Sequence, residues 1–435
     1  MERGVFDPLH PYLFPAFGML IEKLICNVAR KKNADYLHFA PGESYEVPRP
    51  SDTIPRLLYL HVPFCEELCP YCSFNRVVFR EDVARVYFRA LRKEIGMYRD
   101  LGYDFSAIYV GGGTPTVLID ELSETLKLAR DLFSIREVSV ETNPNHLTET
   151  NIARLKDTGV NRLSVGVQTF DDGLLKAVER YHKYGSGEEI AQRLKETMGR
   201  FDTLNVDMIF NFPTQTMEML EHDLDVLMDI AVDQVTFYPL MVSTSTEKLM
   251  GRKLGRVDYD RGQDLYRKIT EMLHEDYRPS TAWCFSRGDV MIDEYVVNYD
   301  EYAGLGSGSI GYLGGSVYSN TFDIPGYVDR LEHGEFPVAA RKDCGTRERL
   351  LYDFLMKLFG ITLDLDELTK KHGVNAYHYL LPEITFFRLT GALIKTGPTL
   401  TLTPKGQYYW VIMMREFFIA VNNFRDYCRA LIKTA

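Results

Sequence analysis

The segment Tyr59-Leu60-His61-Val62-Pro63-Phe64-Cys65-Glu66-Glu67-Leu68-Cys69-Pro70-Tyr71-Cys72-Ser73-Phe74-Asn75 places three cysteines within eight residues, directly after a short apolar run. Residues 57–62 read as a buried strand, so the thiols fall in the loop at its end. Three thiolates hold three irons of a cubane and leave the fourth with an open position, which suits a chelating amino-carboxylate cofactor. The same Cys-x3-Cys-x2-Cys spacing also serves a zinc ion with a fourth ligand from elsewhere, such as His61. It fits buried structural thiols as well. Spacing alone leaves all three open.

Outward from this loop the chain alternates short apolar runs with amphipathic stretches. Residues 106–110, 137–140, 162–167, 204–210 and 234–240 read as further strands, each short and poor in charge, as in strands covered on both faces. Between them, Val83, Tyr87, Leu91 and Ile95 recur every four residues, and Leu122, Leu126, Ala129 and Phe133 follow a 4-3-4 spacing, both helical. Repeated strand–helix units imply right-handed crossovers and a parallel sheet, barrel-like or doubly wound. About six units are visible, short of the eight of a complete barrel. Three divisions follow: an apolar N-terminal extension over 1–54, a barrel over 55–320 and a smaller domain over 321–435. In the last, residues 347–359 and 365–372 look helical and Thr396-Gly397-Pro398 turns between two short apolar runs, an order that suggests a winged helix.

Composition narrows the class. The 435 residues carry a formal charge of −11 and no long basic run, which argues against nucleic acid as a partner. Met1–His10 does not read as a signal peptide, and no run of 18 apolar residues occurs. Of the seven cysteines, Cys26, Cys284, Cys344 and Cys428 are scattered, unlike a disulfide framework, so a reducing, cytoplasmic compartment is expected. These four read as small buried side chains.

The ordered motifs resemble the radical S-adenosylmethionine (SAM) superfamily, in the branch of the oxygen-independent coproporphyrinogen III oxidase. Tyr59-to-Cys65 is similar to that branch's lead-in to its cluster, and Gly111-Gly112-Gly113-Thr114-Pro115-Thr116 to its glycine motif. Glu141-Thr142-Asn143-Pro144, the run Ser164 to Phe170 around Gln168, and the run Asn205 to Pro213 around Asp207 follow in order. The resemblance spans roughly residues 55–435 and sets the zinc reading aside. It implies an α/β fold, a partial TIM-like (β/α)6 radical SAM barrel with a small C-terminal winged-helix-like domain. It implies that Cys65, Cys69 and Cys72 hold a [4Fe–4S] cluster and that SAM chelates its open iron. One electron then cleaves SAM to methionine and a 5′-deoxyadenosyl radical. Tyr59, Gly112, Gly113, Thr114, Glu141, Gln168, Arg180 and Asp207 would line the cofactor space, with Asp207 counted among the catalytic residues. From sequence alone Arg180 reads equally as a surface helix charge. Several members of the branch hold two SAM molecules, and two are expected here.

Three reactions compete within the branch. The oxidase resembles this chain but carries an extra cysteine two positions after the third cluster ligand, where Phe74 stands. The heme chaperone of the branch has a His-Asn-x-x-Tyr-Trp motif, but the matching region, 293–302, has no histidine, so a free cysteine or Tyr295 would have to substitute. The third is a class C radical SAM methyltransferase, in which the methyl of a second SAM becomes a radical that adds to an sp2 carbon. The run Cys69-Pro70-Tyr71-Cys72-Ser73-Phe74-Asn75-Arg76 and the apolar stretch 11–28 look most like the menaquinone C8-methyltransferases. A heme-opening methyltransferase fits less well, since its loop reads differently after the second cysteine. Expected partners are a lipophilic or tetrapyrrole substrate and a low-potential donor such as flavodoxin or ferredoxin. The stretch 11–28, with Arg30-Lys31-Lys32 behind it, and the apolar run 408–419 are candidates for peripheral contact with the inner membrane face or for ordinary core helices.

Overall fold

The structure, a computed structural model, describes residues 15–37, 39, 45–288 and 295–434. Residues 1–14, 38, 40–44, 289–294 and 435 therefore lie outside the described residues. A first helix, α1 (Pro15–Tyr36), precedes six strands. These are β1 (Leu57–Val62), β2 (Ala107–Gly112), β3 (Glu137–Thr142), β4 (Arg162–Gln168), β5 (Thr203–Phe210) and β6 (Gln234–Pro239). They lie side by side in chain order, each parallel to the next. Helices α2 (Glu81–Asp100), α3 (Ile119–Leu132), α4 (Glu149–Asp157), α5 (Gly187–Thr197) and α6 (Met217–Ile230) fill the crossovers. The six expected units are present, with ends within two residues of the sequence reading.

The sheet is wider than six strands. Beyond β6 lie β7 (Cys284–Ser286) and the two-residue strand Arg278–Pro279, both antiparallel. On the other side β8 (Tyr302–Leu305) runs parallel to β1 and leads into β9 (Ile310–Leu313), β10 (Ser316–Asn320) and β11 (Val338–Asp343), all antiparallel. The main sheet thus continues past residue 320, to Asp343. Among the described residues its two edges do not pair, so the twelve strands form an open sheet.

The strands alternate in an unexpected way. Leu58, Leu60 and Val62 join the large apolar core under the helices, as do Ile108, Val110, Leu163, Val165 and Val167. The alternate residues face the other side, because successive side chains of a strand point oppositely. That inner face is polar and aromatic rather than apolar. Arg162 donates to Gln234 and to Ser139, and Gln234 donates in turn to Ser286. A layer nearer the C-terminal ends joins Ser164, Asn205, Asp207 and Thr236.

The remaining chain forms a helical module containing α7 (Thr346–Phe359), a three-stranded antiparallel sheet and α8 (Pro404–Thr434). Its hairpin, Leu393–Thr396 with Thr399–Leu402, turns at Gly397, whose φ of +60° favours glycine. Trp410 anchors α8 by donating to the Leu355 carbonyl at 2.9 Å and packing between Phe354 and Phe387. Helix α1 lies along α8, burying Ile21 and Ile25 while Leu20, Leu24 and Val28 face outward. Arg30 pairs with Glu416 across this contact at 2.6 Å. Among the described residues no helix is long and apolar enough to cross a membrane.

Candidate functional site

The three cysteines sit where β1 ends, at the C-terminal ends of the parallel strands. After Val62 the chain makes the two-residue strand Phe64–Cys65, which pairs with Val77–Val78, so the thiol loop closes on itself. The glycine motif holds the entrance: Gly113 N–H donates to the Val62 carbonyl at 2.8 Å and Thr114 N–H to the Phe64 carbonyl at 2.7 Å. A Cβ on Gly113 would lie 2.6 Å from the Phe64 carbonyl oxygen, and one on Gly112 (φ +117°) 2.6 Å from the His61 ring. A Cβ on Gly111 would collide with the Glu141 carboxylate. The absent side chains let β2 press against the cluster loop and β3, a packing demand the sequence reading did not foresee.

Each thiol carries neighbours. The Thr114 hydroxyl donates to Cys65 Sγ at 3.7 Å and accepts from Asn143 Nδ2 at 2.8 Å. Arg180 donates to Cys69 Sγ and to the Tyr71 hydroxyl, each at 3.4 Å, and to the Asn143 side chain and the Gly166 carbonyl. Arg76 donates to the Cys69 carbonyl at 2.5 Å and the Cys72 carbonyl at 2.7 Å. Arg180 is only 4% exposed, so it is no surface charge. Burial opposes its charge, but Tyr71, Tyr184 and Cys69 raise its pKa. Burial pushes the Cys65 thiol up to about 11, with Cys72 adding to the rise and the Thr114 hydroxyl opposing it. Metal must therefore displace a firmly held proton there.

These neighbours fit an iron–sulfur group. The Nε of both Arg76 and Arg180 is buried without an acceptor in the structure, and an anionic group beside the thiols would supply one. Among the described residues no three His, Cys, Asp or Glu side chains close around one point as a single-ion site does. Thiolates that each bond a separate iron of a cubane need no such convergence. Nor is His61 available to zinc. Its Nε2 meets the Asn75 carbonyl at 2.8 Å and its Nδ1 the Tyr59 hydroxyl at 2.9 Å. A carbonyl only accepts, so Nε2 carries the proton and Nδ1 accepts from Tyr59. Burial lowers the His61 pKa to about 4 and keeps the ring neutral.

The remaining expected residues gather on the inner face. Glu141 accepts from the Tyr109 hydroxyl at 2.8 Å and from Gly112 N–H at 3.1 Å. Tyr59 stacks on Tyr109, and its own pKa is raised by burial and by the Glu141 charge. Asp207 accepts from Ser164 at 2.9 Å and from Asn205 at 2.8 Å, so it is positioned from two strands. Gln168 ends β4 at a register shift, with φ +79°, the left-handed region that is costly for a non-glycine residue. Asn143 and Arg76 were missed by the sequence reading. Asn143 sits in the Glu141-to-Pro144 motif and Arg76 lies four residues after Cys72. A small cavity at the ends of β5 and β6 is lined by Asn211, Leu240, Tyr408 and Arg415 among others. A cleft of about 300 Å³ lies beside it between α1 and α8. Neither is lined by the loop's thiols.

A parallel α/β sheet with three thiols on the loop after its first strand is the build of a radical SAM protein. Residues 59–227 match the sequence model of the radical SAM superfamily. The chain is 30% identical over 320 residues to the heme chaperone HemW of Bacillus subtilis (strain 168), covering 69% of this chain and 82% of that one. It is 27% identical over 342 residues to the oxygen-independent coproporphyrinogen III oxidase of Bradyrhizobium diazoefficiens, covering 73% and 76%. Among solved structures, coproporphyrinogen III oxidase (HemN) from Escherichia coli matches with a TM-score of 0.70 and 23% identity, over 83% of this chain and 90% of that one. The chain belongs to the radical SAM superfamily, in the branch that holds HemW and the oxygen-independent coproporphyrinogen III oxidases. Membership implies a [4Fe–4S] cluster and SAM. The relatives do not carry the narrower menaquinone methyltransferase reading.

Proposed function

We propose that Cys65, Cys69 and Cys72 each bond one iron of a [4Fe–4S] cluster, and that the chain uses SAM radical chemistry on a conjugated ring substrate of the tetrapyrrole class. The observation that carries this is the thiol loop, with Thr114 on one sulfur, Arg180 on another and two buried guanidinium nitrogens awaiting an acceptor. When bound, the cluster supplies the electron, drawn from a low-potential donor such as flavodoxin or ferredoxin, that cleaves SAM. The protein's part is orientation and the exclusion of water. Arg180 and Thr114 hold the thiols, Arg76 fixes their loop, and Glu141, Gln168 and Asp207 present acceptors to the cofactor from β3, β4 and β5. Tyr59 gives its proton to His61 Nδ1, so its hydroxyl also faces the cofactor as an acceptor. The tetrapyrrole class is supported by the names of the relatives, among which coproporphyrinogen oxidative decarboxylation is the enzymatic reaction.

A second reading, methyl transfer to an sp2 ring carbon such as C8 of menaquinone, is favoured by Phe74. It stands, half exposed, where the oxidase-like loop carries a cysteine. That reading calls for a second SAM.

The deciding experiment reconstitutes the chain without oxygen and supplies SAM, a strong reductant and either coproporphyrinogen III or a short-chain menaquinone. Carbon dioxide from the porphyrinogen supports decarboxylation, and a menaquinone heavier by one methyl supports methyl transfer. Stoichiometric heme binding with no SAM turnover on either compound would overturn the enzymatic reading in favour of a chaperone. Cys69→Ala is expected to lose the cluster's visible absorption and 5′-deoxyadenosine formation together. A full cluster with normal yield in that variant would refute the ligand set.

A further inference from the structure

Helix α1 meets α8 through the Arg30–Glu416 pair, yet the two leave between them the cleft of about 300 Å³, the small end of the range for ligand pockets. It adjoins the cavity at the ends of β5 and β6, about 10 Å³ and so room for one water-sized group. Tyr259, Tyr408, Ile412 and Arg415 line both. Arg415 is 6% exposed. Its Nε and Nη2 donate to Glu416 at 3.3 and 2.9 Å, and Nη2 also donates to Cys26 Sγ at 3.3 Å. The guanidinium lies 4.3 Å from the centroid of the Tyr259 ring. Among the described residues nothing accepts from its Nη1. Asn211, 3% exposed, lines the small cavity and has an Oδ1 that no donor among them reaches. The cleft also holds two carboxyls, Glu22 of α1 and Asp260, and neither is in an ion pair among the described residues. Burial pushes Glu22 up to about 7 against the pull of Arg415, with the Asp260 charge adding to the rise and Lys405 opposing it.

We propose that this cleft binds a small zwitterion of the α-amino-acid class, its carboxylate taken by Arg415 Nη1 and its ammonium held between Glu22 and Asp260. A buried guanidinium with one donor left over gains from an acceptor, and a carboxylate is the acceptor that suits it best. Two carboxyls whose charges oppose each other gain from a cation set between them. Both needs meet in one small cleft. A simple anion would satisfy the arginine and be repelled by the carboxyls, and a simple cation the reverse, so the ligand that fits carries both signs. Ile412 and the Tyr408 ring leave an apolar wall for a side chain of modest size. Methionine, which SAM cleavage releases, belongs to this class, but the inference stands whichever ring substrate the chain takes.

The test uses the full chain with its cluster reconstituted and four probes: L-methionine, L-leucine, L-methionine methyl ester and N-acetyl-L-methionine. Binding is followed by calorimetry without oxygen. The two free amino acids are expected to bind one per chain. The ester and the acetyl derivative are each expected to bind about tenfold more weakly or worse, the usual cost of losing a charged hydrogen bond. Glu22→Gln is expected to weaken both free amino acids by a similar factor and to leave N-acetyl-L-methionine unchanged, since that probe has no ammonium to lose. Asp260→Asn, at the exposed rim, repeats the measurement if the Glu22 variant fails to fold. Absence of binding in the wild type, or equal affinity for all four probes, would overturn the proposal. So would methionine binding that survives both carboxyl variants but is lost in Cys69→Ala, which places the amino acid on the cluster instead. None of these results bears on the radical chemistry itself, which the cysteine variant tests separately through 5′-deoxyadenosine.

Discussion

At the residue scale, Gly113 shows how little slack the site contains. A methyl group there would meet the carbonyl oxygen, carbonyl carbon and nitrogen of Phe64 at 2.6 to 2.9 Å. All three are backbone atoms of the residue just before Cys65, so relief requires moving the thiol loop itself. Gly113→Ala is therefore expected to cost roughly 1–3 kcal/mol, the range for overpacking a tight contact, and to lower cluster loading. Thermal unfolding and iron content per chain measure the two effects separately. Thr114 makes a subtler contribution. Its hydroxyl accepts from Asn143 and donates to Cys65, so Thr114→Val leaves a buried amide without its acceptor. That change is expected to cost about 1–3 kcal/mol, read in the same unfolding experiment, while leaving the three cysteines in place.

At the scale of elements, the strands explain both what the sequence discloses and what it hides. The six parallel strands were legible because their helix-facing residues, such as Leu58, Leu60 and Val62, are unbroken β-formers in short runs. The polar inner face was not. Ser164, Asn205 and Asp207 look like isolated polar residues in sequence, and become one hydrogen-bonded layer only when β4 and β5 pair. The cysteines and Glu141 were legible because ordered motifs surround them. Arg415 was not, because only the packing of α8 along α1 brings a residue 389 positions away onto Cys26. The layered inner face yields a prediction of its own. Asp207→Ala removes the acceptor shared by Ser164 and Asn205, and is expected to lower turnover at least about tenfold, near 1.4 kcal/mol in barrier. Its visible cluster absorption should match wild type, since Ser164 and Asn205, which hold Asp207, lie on β4 and β5 and not in the thiol loop. An unchanged rate would remove it from the site.

At the scale of the whole molecule, two buried carboxyls tie the helices to the sheet. Glu94 of α2 accepts from Gly306 N–H, Asn320 and Tyr327, and Asp223 of α6 accepts from Thr169 and from Phe170 N–H. Burial pushes each up to about 7, against the pull of those donors. Both carboxyls bind a proton more readily folded than unfolded. Their contribution to stability is thus complete below about pH 4, where the unfolded groups are also protonated, and is lost as pH rises through about 7. The melting temperature of the cluster-free chain is expected to fall over that interval, and Glu94→Gln to flatten the slope even if its overall stability drops. Calorimetry at several pH values checks this. The course of α8 bears on the order of assembly as well. Asn422 and Asn423 hold the loop whose Ser243 is tied to Ser73, and they are synthesised long after the thiols. A growing polypeptide thus carries its cluster loop without that buttress until α8 emerges.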